Sequence, residues 1–296
     1  FFNTFKYTYF HENNKIMKNN SVINFDNNLI NSSLILSSPH SGNFYPDEFI
    51  SLLNVELSEL NQNEDSLVDE LINGSLLFKN LILKAIWSRS VVDVNRAKTD
   101  FNFNDFEPPI SDIIAKPSKY SRSGIGVIPT RSGINEKIYK SKLSGKKATR
   151  WINDAWKSYH ETLSNILDKA HDQYGQYVLF DFHSMPSESD NIRNKVDIIL
   201  GNCHGQSCDE NVIDFLEKNL SAKGLKTRRN TPYSGGFITE NYGDPKKNKH
   251  TIQIEINRSI YLDEKTRERN NNFENCKLVF CEMINEFEKN KNNLLG

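Results

Sequence analysis

The chain has 296 residues, with 37 Lys and Arg against 38 Asp and Glu, for a formal net charge of −1 with histidine neutral. That balance, with a pI near 6.7, gives no broad cationic field for nucleic acid or an anionic membrane. The short run Lys246-Lys247-Asn248-Lys249 reads as a solvated loop. Apolar residues make up 37%, and no stretch reaches the roughly 18 apolar residues of a membrane span. The low mean hydropathy of −0.62 reflects surface Asn and Lys, as in Asn270-Asn271-Asn272. Residues 1–20 mix aromatics with Lys, His and Asn and lack the apolar core of a signal peptide. Met17 precedes a more ordinary start, so residues 1–16 read as an addition ahead of it, and the expected division is an N-terminal extension over 1–20 and a single domain over 21–296. Four cysteines in so long a chain make no disulfide framework. Cys203 and Cys208 lack the spacing of a metal knuckle, and a reduced, cytoplasmic protein is expected.

In chain order, Leu34-Ile35-Leu36 reads as a buried strand running into the loop Ser38-Pro39-His40-Ser41-Gly42. Residues 66–73 place Leu67, Val68, Leu71 and Ile72 at helical spacing. Leu81 to Trp87 and Val91 to Val94 are β-rich. The spacing predicts the longest helix over 135–174, with Trp151, Ala155, Tyr159, Leu163 and Ile166 on one stripe, ended by Gly175. Tyr177 to Phe180 forms a strand leading to Asp181-Phe182-His183, and Val196 to Leu200 forms another. A helix over 209–221 capped by Gly224, a short strand, the strand Thr251 to Ile256 and a last helix over 273–289 complete the pattern. Strands separated by helices indicate an α/β fold, a mixed, largely parallel central sheet with helices on both faces. Neither an internal repeat nor a long linker marks a second domain.

The chain contains no HExxH, GxSxG or Walker A motif, and Gly124-Ile125-Gly126 does not continue as GxGxxG. What remains is a set of polar residues near strand ends, where the loops of an open α/β sheet converge on a ligand. These are His40, Asp65, Arg89, Asn95, Arg96, His183 and Glu255. Either histidine alone is an ordinary loop residue; two framed by small residues suit a metal ion. Glu255, between Ile254 and Ile256, must face solvent or a polar cavity, with an edge-strand position paired to Arg258 or a lysine as the alternative. Arg89 and Arg96 could pair with Asp93 or Asp100 at the surface. His160 and His171 fall on the long helix, His204 in a polar loop and His11 in the extension, and none is assigned a role.

Several segments then resemble one family in order. They are Ser38-Pro39-His40-Ser41-Gly42, Asp65 with Val68-Asp69, Arg89 through Arg96, Gly124 through Thr130, and Asp181-Phe182-His183-Ser184. They continue with Leu200-Gly201, Pro232-Tyr233-Ser234-Gly235-Gly236, Tyr242-Gly243-Asp244-Pro245 and His250 through Arg258. The series is similar to the N-formylglutamate amidohydrolase family, a branch of the zinc carboxypeptidase and aspartoacylase-like hydrolases, from about residue 33 to 265.

The resemblance implies one zinc ion, held by His40, His183 and a carboxylate. Asp65 is the expected third ligand, with Asp69 and Glu64 as alternatives, because Asn43 stands where the carboxypeptidase pattern has a ligand glutamate. It implies that Glu255 is the general base and that Arg89 polarises the scissile carbonyl. Asn95 and Arg96 would grip the substrate carboxylate, which suits a planar, permanently charged guanidinium. Asp181, two before His183, could orient that imidazole. A dicarboxylic substrate wants a second cation, for which Arg131, Arg258 and His250 are candidates. Tyr233 and Gly235-Gly236 resemble a substrate-covering loop, with a hairpin turn as the alternative for the glycines. The implied partner is a small N-formyl or N-acyl amino acid, N-formyl-L-glutamate first. The alternatives are another N-acyl amino acid or small peptide as substrate, or a catalytically silent metal- or small-molecule-binding homologue.

Overall fold

The computed structural model describes residues 22–23, 31–73, 82–187 and 196–295; the expected extension over 1–20, with His11, lies outside them. Seven strands form one sheet: β1 (Val22–Ile23), β2 (Leu34–Ser38), β3 (Ile82–Ala85), β4 (Tyr177–Met185), β5 (Ile198–Gly201), β6 (Thr227–Arg229) and β7 (Lys249–Asn257). Their order is β1-β3-β2-β4-β7-β5-β6. The central run β3-β2-β4-β7 is parallel, β5 is antiparallel to β7, and β6 is parallel to β5. The mixed, largely parallel sheet expected from the alternating pattern is therefore present. β2 and β4 are buried throughout, as strands covered on both faces require.

Helices supply the two covers. On one face, Tyr159 of the helix Ser158–Tyr174 reaches the sheet through a 2.7 Å hydrogen bond between its hydroxyl and Ser37 Oγ. On the other, the helix Phe273–Leu295 packs Phe287 at a tilt against Phe180 and Phe280 edge-on against Phe182. Aromatic pairs at such centroid distances of 4.8 and 6.2 Å each add about 0.5–1.5 kcal/mol beyond the apolar area they bury. A second apolar cluster, around Phe49, Phe101 and Trp151, packs under the loops. Among the described residues, no helix is long and apolar enough to cross a membrane. All four cysteines are free thiols.

Several expected elements differ. Val91 to Val94 is a run of turns, not a strand. Its valines are buried in the sheet core and the loop cluster, and Asp93 Oδ1 accepts from Asn95 N at 2.9 Å, a local bond that competes with strand pairing. The long helix begins at Gly145, not near 135. Ile138 N and Lys140 N donate to the carbonyls of Thr130 and Leu52, so that segment spends its amides on neighbouring loops. From Gly145 the chain is helical to Tyr174, with a π-helical stretch over Ile152–Lys157. The last helix runs past 289 to Leu295.

The loop after β2 is fixed by close contact. Phe44 N donates to Ile86 O and Ser88 N to Phe44 O, each at 3.0 Å, which zips this loop onto the segment following β3. Gly42 lies where the two backbones meet, and a Cβ there would fall 2.4 Å from Trp87 O and 2.6 Å from Ile86 O. Neither carbonyl can yield as a flexible side chain would. Gly42→Ala is therefore expected to cost about 1–3 kcal/mol by overpacking, read as a lower urea midpoint. It should also reduce activity, because His40 is two residues away. Unchanged stability and activity would contradict the close approach.

Candidate active site

β4 and β7 pair in register so that His183 lies beside Glu255 and Asp181 beside Gln253. Side chains alternate along a strand, so both pairs project from the same face. The loop after β2 brings His40 over this face, and Asp65 N donates to His40 O at 3.0 Å, which ties the next loop to it. His183 Nδ1 lies 3.1 Å from Asp65 Oδ2, and His40 Nδ1 lies 3.5 Å from the same oxygen. The two rings approach edge to face at 4.8 Å.

Each imidazole is held from behind by a buried carboxylate. His40 Nε2 meets Asp93 Oδ1 at 2.7 Å, and His183 Nε2 meets Asp181 Oδ2 at 2.9 Å. A neutral imidazole held this way keeps its proton on Nε2 and presents the Nδ1 lone pair. Both lone pairs then face Asp65. His40 Nδ1 is buried and makes no hydrogen bond, an orphan of the kind that buried polar atoms seldom leave. One ligand atom from each of His40, Asp65 and His183 falls within 4.8 Å of the others. This donor set fits a divalent cation: two imidazoles, one carboxylate, and a carboxylate behind each imidazole.

Electrostatics point the same way. Burial alone would raise the Asp65 carboxyl, but the close contact with His183 and the positive charge that His40 and His183 carry when protonated hold it well below the usual carboxylate range. Burial works against a protonated His183, yet Asp181, Asp65 and Glu255 lift its pKa well above the ordinary value. Burial raises the Glu255 carboxyl; His183 opposes this and Asp65 reinforces it. Gln253 donates to Glu255 Oε1 at 2.7 Å. The pocket is rich in negative charge.

Apart from Asp181, these groups line one cavity of about 490 Å³ with Arg89, Asn95, Arg96, Arg131, Tyr233, Gly235 and Arg258. Arg89 Nη2 donates to Asp93 Oδ2 at 2.8 Å, so the pairing considered for the surface exists but lies in the cavity wall. Arg96 lays its guanidinium over the Tyr120 ring at 3.8 Å. Asn95 Oδ1 accepts from Ile238 N at 2.8 Å, which sets its amide nitrogen on the His183 side at 3.3 Å. Gly236 permits this, because a Cβ there would lie 2.5 Å from Asn95 Nδ2. Gly236 leads into the helix Phe237–Tyr242, so the pair Gly235-Gly236 is not a hairpin turn.

Other candidates separate. Glu64 turns away to Tyr45, whose hydroxyl donates at 2.5 Å, and burial pushes its pKa up to about 7. Asp69 is paired with Lys84 at 2.6 Å. Arg258 is in the cavity wall, but Nε donates to Ser184 Oγ, Nη1 to Gln62 O, and Nη2 to Glu64 O and Asp65 Oδ1. His250 is absent from the cavity wall; its Nδ1 accepts from Asp209 N at 3.2 Å.

Sequence reasoning missed part of the support. Asp93 appeared only as a possible partner for arginine, although its place two before Asn95 was the available signal. Gln253 was overlooked, although the alternation of β7 puts it on the face of Glu255. His160, assigned no role, is buried between Tyr242 and the Val94 carbonyl, with Nε2 2.8 Å from Val94 O. Burial lowers its pKa to about 4, so it is neutral. Trp156 Nε1 donates to Arg96 O at 2.7 Å. The long helix thus grips the backbone on both sides of Asn95, and nothing in the local sequence shows that.

The sequence profile of the N-formylglutamate amidohydrolase family matches residues 32–262. The chain is 30% identical over 236 residues to the N-formylglutamate deformylase of Pseudomonas putida, covering 78% of this chain and 82% of that protein. It superposes on the crystal structure of N-formylglutamate amidohydrolase from Ralstonia eutropha JMP134 with a TM-score of 0.83 and 28% identity, covering 91% of this chain and 98% of the other. The gene product Atu2144 from Agrobacterium tumefaciens shares the fold at a TM-score of 0.62 and 16% identity, over 91% and 96% of the two chains. The matched segment contains both histidines, Asp65 and Glu255, and the chain belongs to the N-formylglutamate amidohydrolase family.

Proposed function

We propose that this protein hydrolyses the formamide bond of N-formyl-L-glutamate, giving formate and L-glutamate, with one divalent metal ion, zinc first among the candidates. The observation that carries the reading is the convergence of His40 Nδ1, His183 Nδ1 and Asp65 Oδ2, with a carboxylate behind each imidazole, beside Glu255 and Arg89. His40, Asp65 and His183 would hold the ion. Bound there, it supplies Lewis acidity at a site with an open position for substrate.

The remaining work falls to side chains. Glu255 takes a proton from the attacking water as the water oxygen bonds to the formyl carbon. It returns that proton to the nitrogen as the carbon–nitrogen bond breaks. Gln253 fixes one oxygen of Glu255 and leaves the other for the proton. Arg89, anchored by Asp93, donates to the formyl oxygen as negative charge gathers there. Asn95 and Arg96 bind the α-carboxylate, a role supported by the way Ile238 N, Trp156 and Tyr120 hold them. Tyr233 closes one side of the cavity over the substrate. Arg258 was expected to bind substrate; with its donors committed to Ser184, Gln62, Glu64 and Asp65, it is better read as the residue that positions Asp65. The four free thiols suit the reduced, cytoplasmic setting that we include in this reading.

Among formyl, acetyl and longer acyl derivatives of glutamate and aspartate, kcat/KM is expected to be highest for N-formyl-L-glutamate; preference for a longer acyl group would reject the formamide assignment. Glu255→Gln should lower kcat by about 10²–10⁴-fold while its far-UV circular dichroism and metal content stay those of the parent. Near-normal turnover would remove Glu255 as the base. The parent is expected to carry about one metal ion per chain and to lose activity on chelation. Asp65→Asn, which keeps the shape and removes the charge, should bind the ion much more weakly in a competition with a chelating dye; undiminished affinity would exclude Asp65 as a ligand.

A further inference from the structure

The substrate in this reading has two carboxylates, and the α-carboxylate occupies Asn95 and Arg96. A second cation must meet the side-chain carboxylate. Four arginines line the cavity: Arg89, Arg96, Arg131 and Arg258. Arg89 is paired with Asp93, and Arg258 is enclosed by Ser184, Gln62, Glu64 and Asp65. Arg131 differs from both. Its side chain donates from Nη1 to the carbonyl of Asn135 at 2.8 Å, and among the described residues it has no carboxylate within ion-pair distance.

Its backbone is set with care. Thr130 N and Arg131 N both donate to Gly124 O, at 2.8 and 3.0 Å. Gly124 has φ +79°, and a Cβ there would lie 2.7 Å from Arg131 Cγ. The glycine therefore gives both the left-handed turn and the flat surface on which the Arg131 stem rests. Ser132 and Gly133, which follow it, line the same cavity. The side-chain carboxylate of glutamate lies two methylenes beyond the α-carbon, so its receptor must stand apart from the groups that touch the amide. Arg131 is on a separate loop and makes no hydrogen bond to His40, Asp65, His183 or Glu255.

We infer that Arg131 is the specificity-determining residue for the substrate's side-chain carboxylate, binding it through the guanidinium edge that Asn135 leaves open. This rests on the proposed hydrolysis of N-formyl-L-glutamate. The test compares N-formyl-L-glutamate with N-formyl-L-glutamine, nearly the same shape without the charge. A charge-assisted hydrogen-bonded pair corresponds to about a 10–100-fold preference. Arg131→Gln is expected to lower the ratio of the two kcat/KM values by that factor, mainly through KM for the glutamate derivative. Arg131→Lys keeps the charge and loses the fork, and the ratio should fall less, by about 3–10-fold; it also serves if the glutamine variant does not fold. A ratio unchanged in the folded variants, with the parent still active on N-formyl-L-glutamate, would overturn the inference. A parent inactive on N-formyl-L-glutamate would overturn the underlying reading, and the inference with it.

Discussion

Asp65 is buried, and each of its oxygens is claimed by different neighbours. Oδ2 faces the two imidazoles, and Oδ1 accepts from Ser184 Oγ and faces Arg258 Nη2. A buried carboxylate is tolerable only with such partners, and here they come from the loop after β2, the end of β4 and the end of β7. His183 and Ser184 are consecutive and point to opposite sides of β4, yet both reach Asp65. That carboxylate therefore caps the end of the strand rather than lying on a face. Arg258 also binds the carbonyls of Gln62 and Glu64, so the loop carrying Asp65 is fastened to the strand carrying Glu255.

From this carboxylate the charge pattern follows outward. Asp93 and Asp181 stand behind the imidazoles and Glu255 stands beside them, so Asp65, Asp93 and Glu255 share the cavity wall with Arg89 and Arg258 while Asp181 backs His183 from behind it. Negative charge so concentrated draws protons onto His183, and in the proposed reading a divalent cation would take their place. The parallel pairing of β4 with β7 makes the arrangement possible. A slip of one residue in that register would send Glu255 to the opposite face from His183.

Much of this was legible in the chain. Glu255 stood out because a charge between two isoleucines in a strand must face solvent or a polar cavity, and only the central place of β7 in the sheet decides between them; His40 and His183 came after apolar runs that read as strands. Val91 to Val94 misled because a short β-branched run looks the same whether it is a strand or a buried turn. The start of the long helix was hidden because residues before Gly145 spend their amides on the Thr130 and Leu52 carbonyls, contacts that lie far along the chain. For the same reason, Arg258 could be seen as a cation near the site but not as the partner of Gln62 and Glu64. The grip of Trp156 and His160 on the Val94–Arg96 backbone is likewise a tertiary fact, with Trp156 in a π-helical stretch that no local pattern announced and His160 in the α-helix that follows.

In the proposed function, His40, Asp65 and His183 together hold one metal ion in the substrate cavity. Anomalous diffraction from crystals of the metal-loaded protein, collected on either side of the zinc absorption edge, tests it most directly. The expected result is a single strong peak bonded to His40 Nδ1, His183 Nδ1 and an Asp65 oxygen, next to Glu255. A peak on other side chains, or none in this cavity for protein shown by elemental analysis to contain zinc, would contradict it.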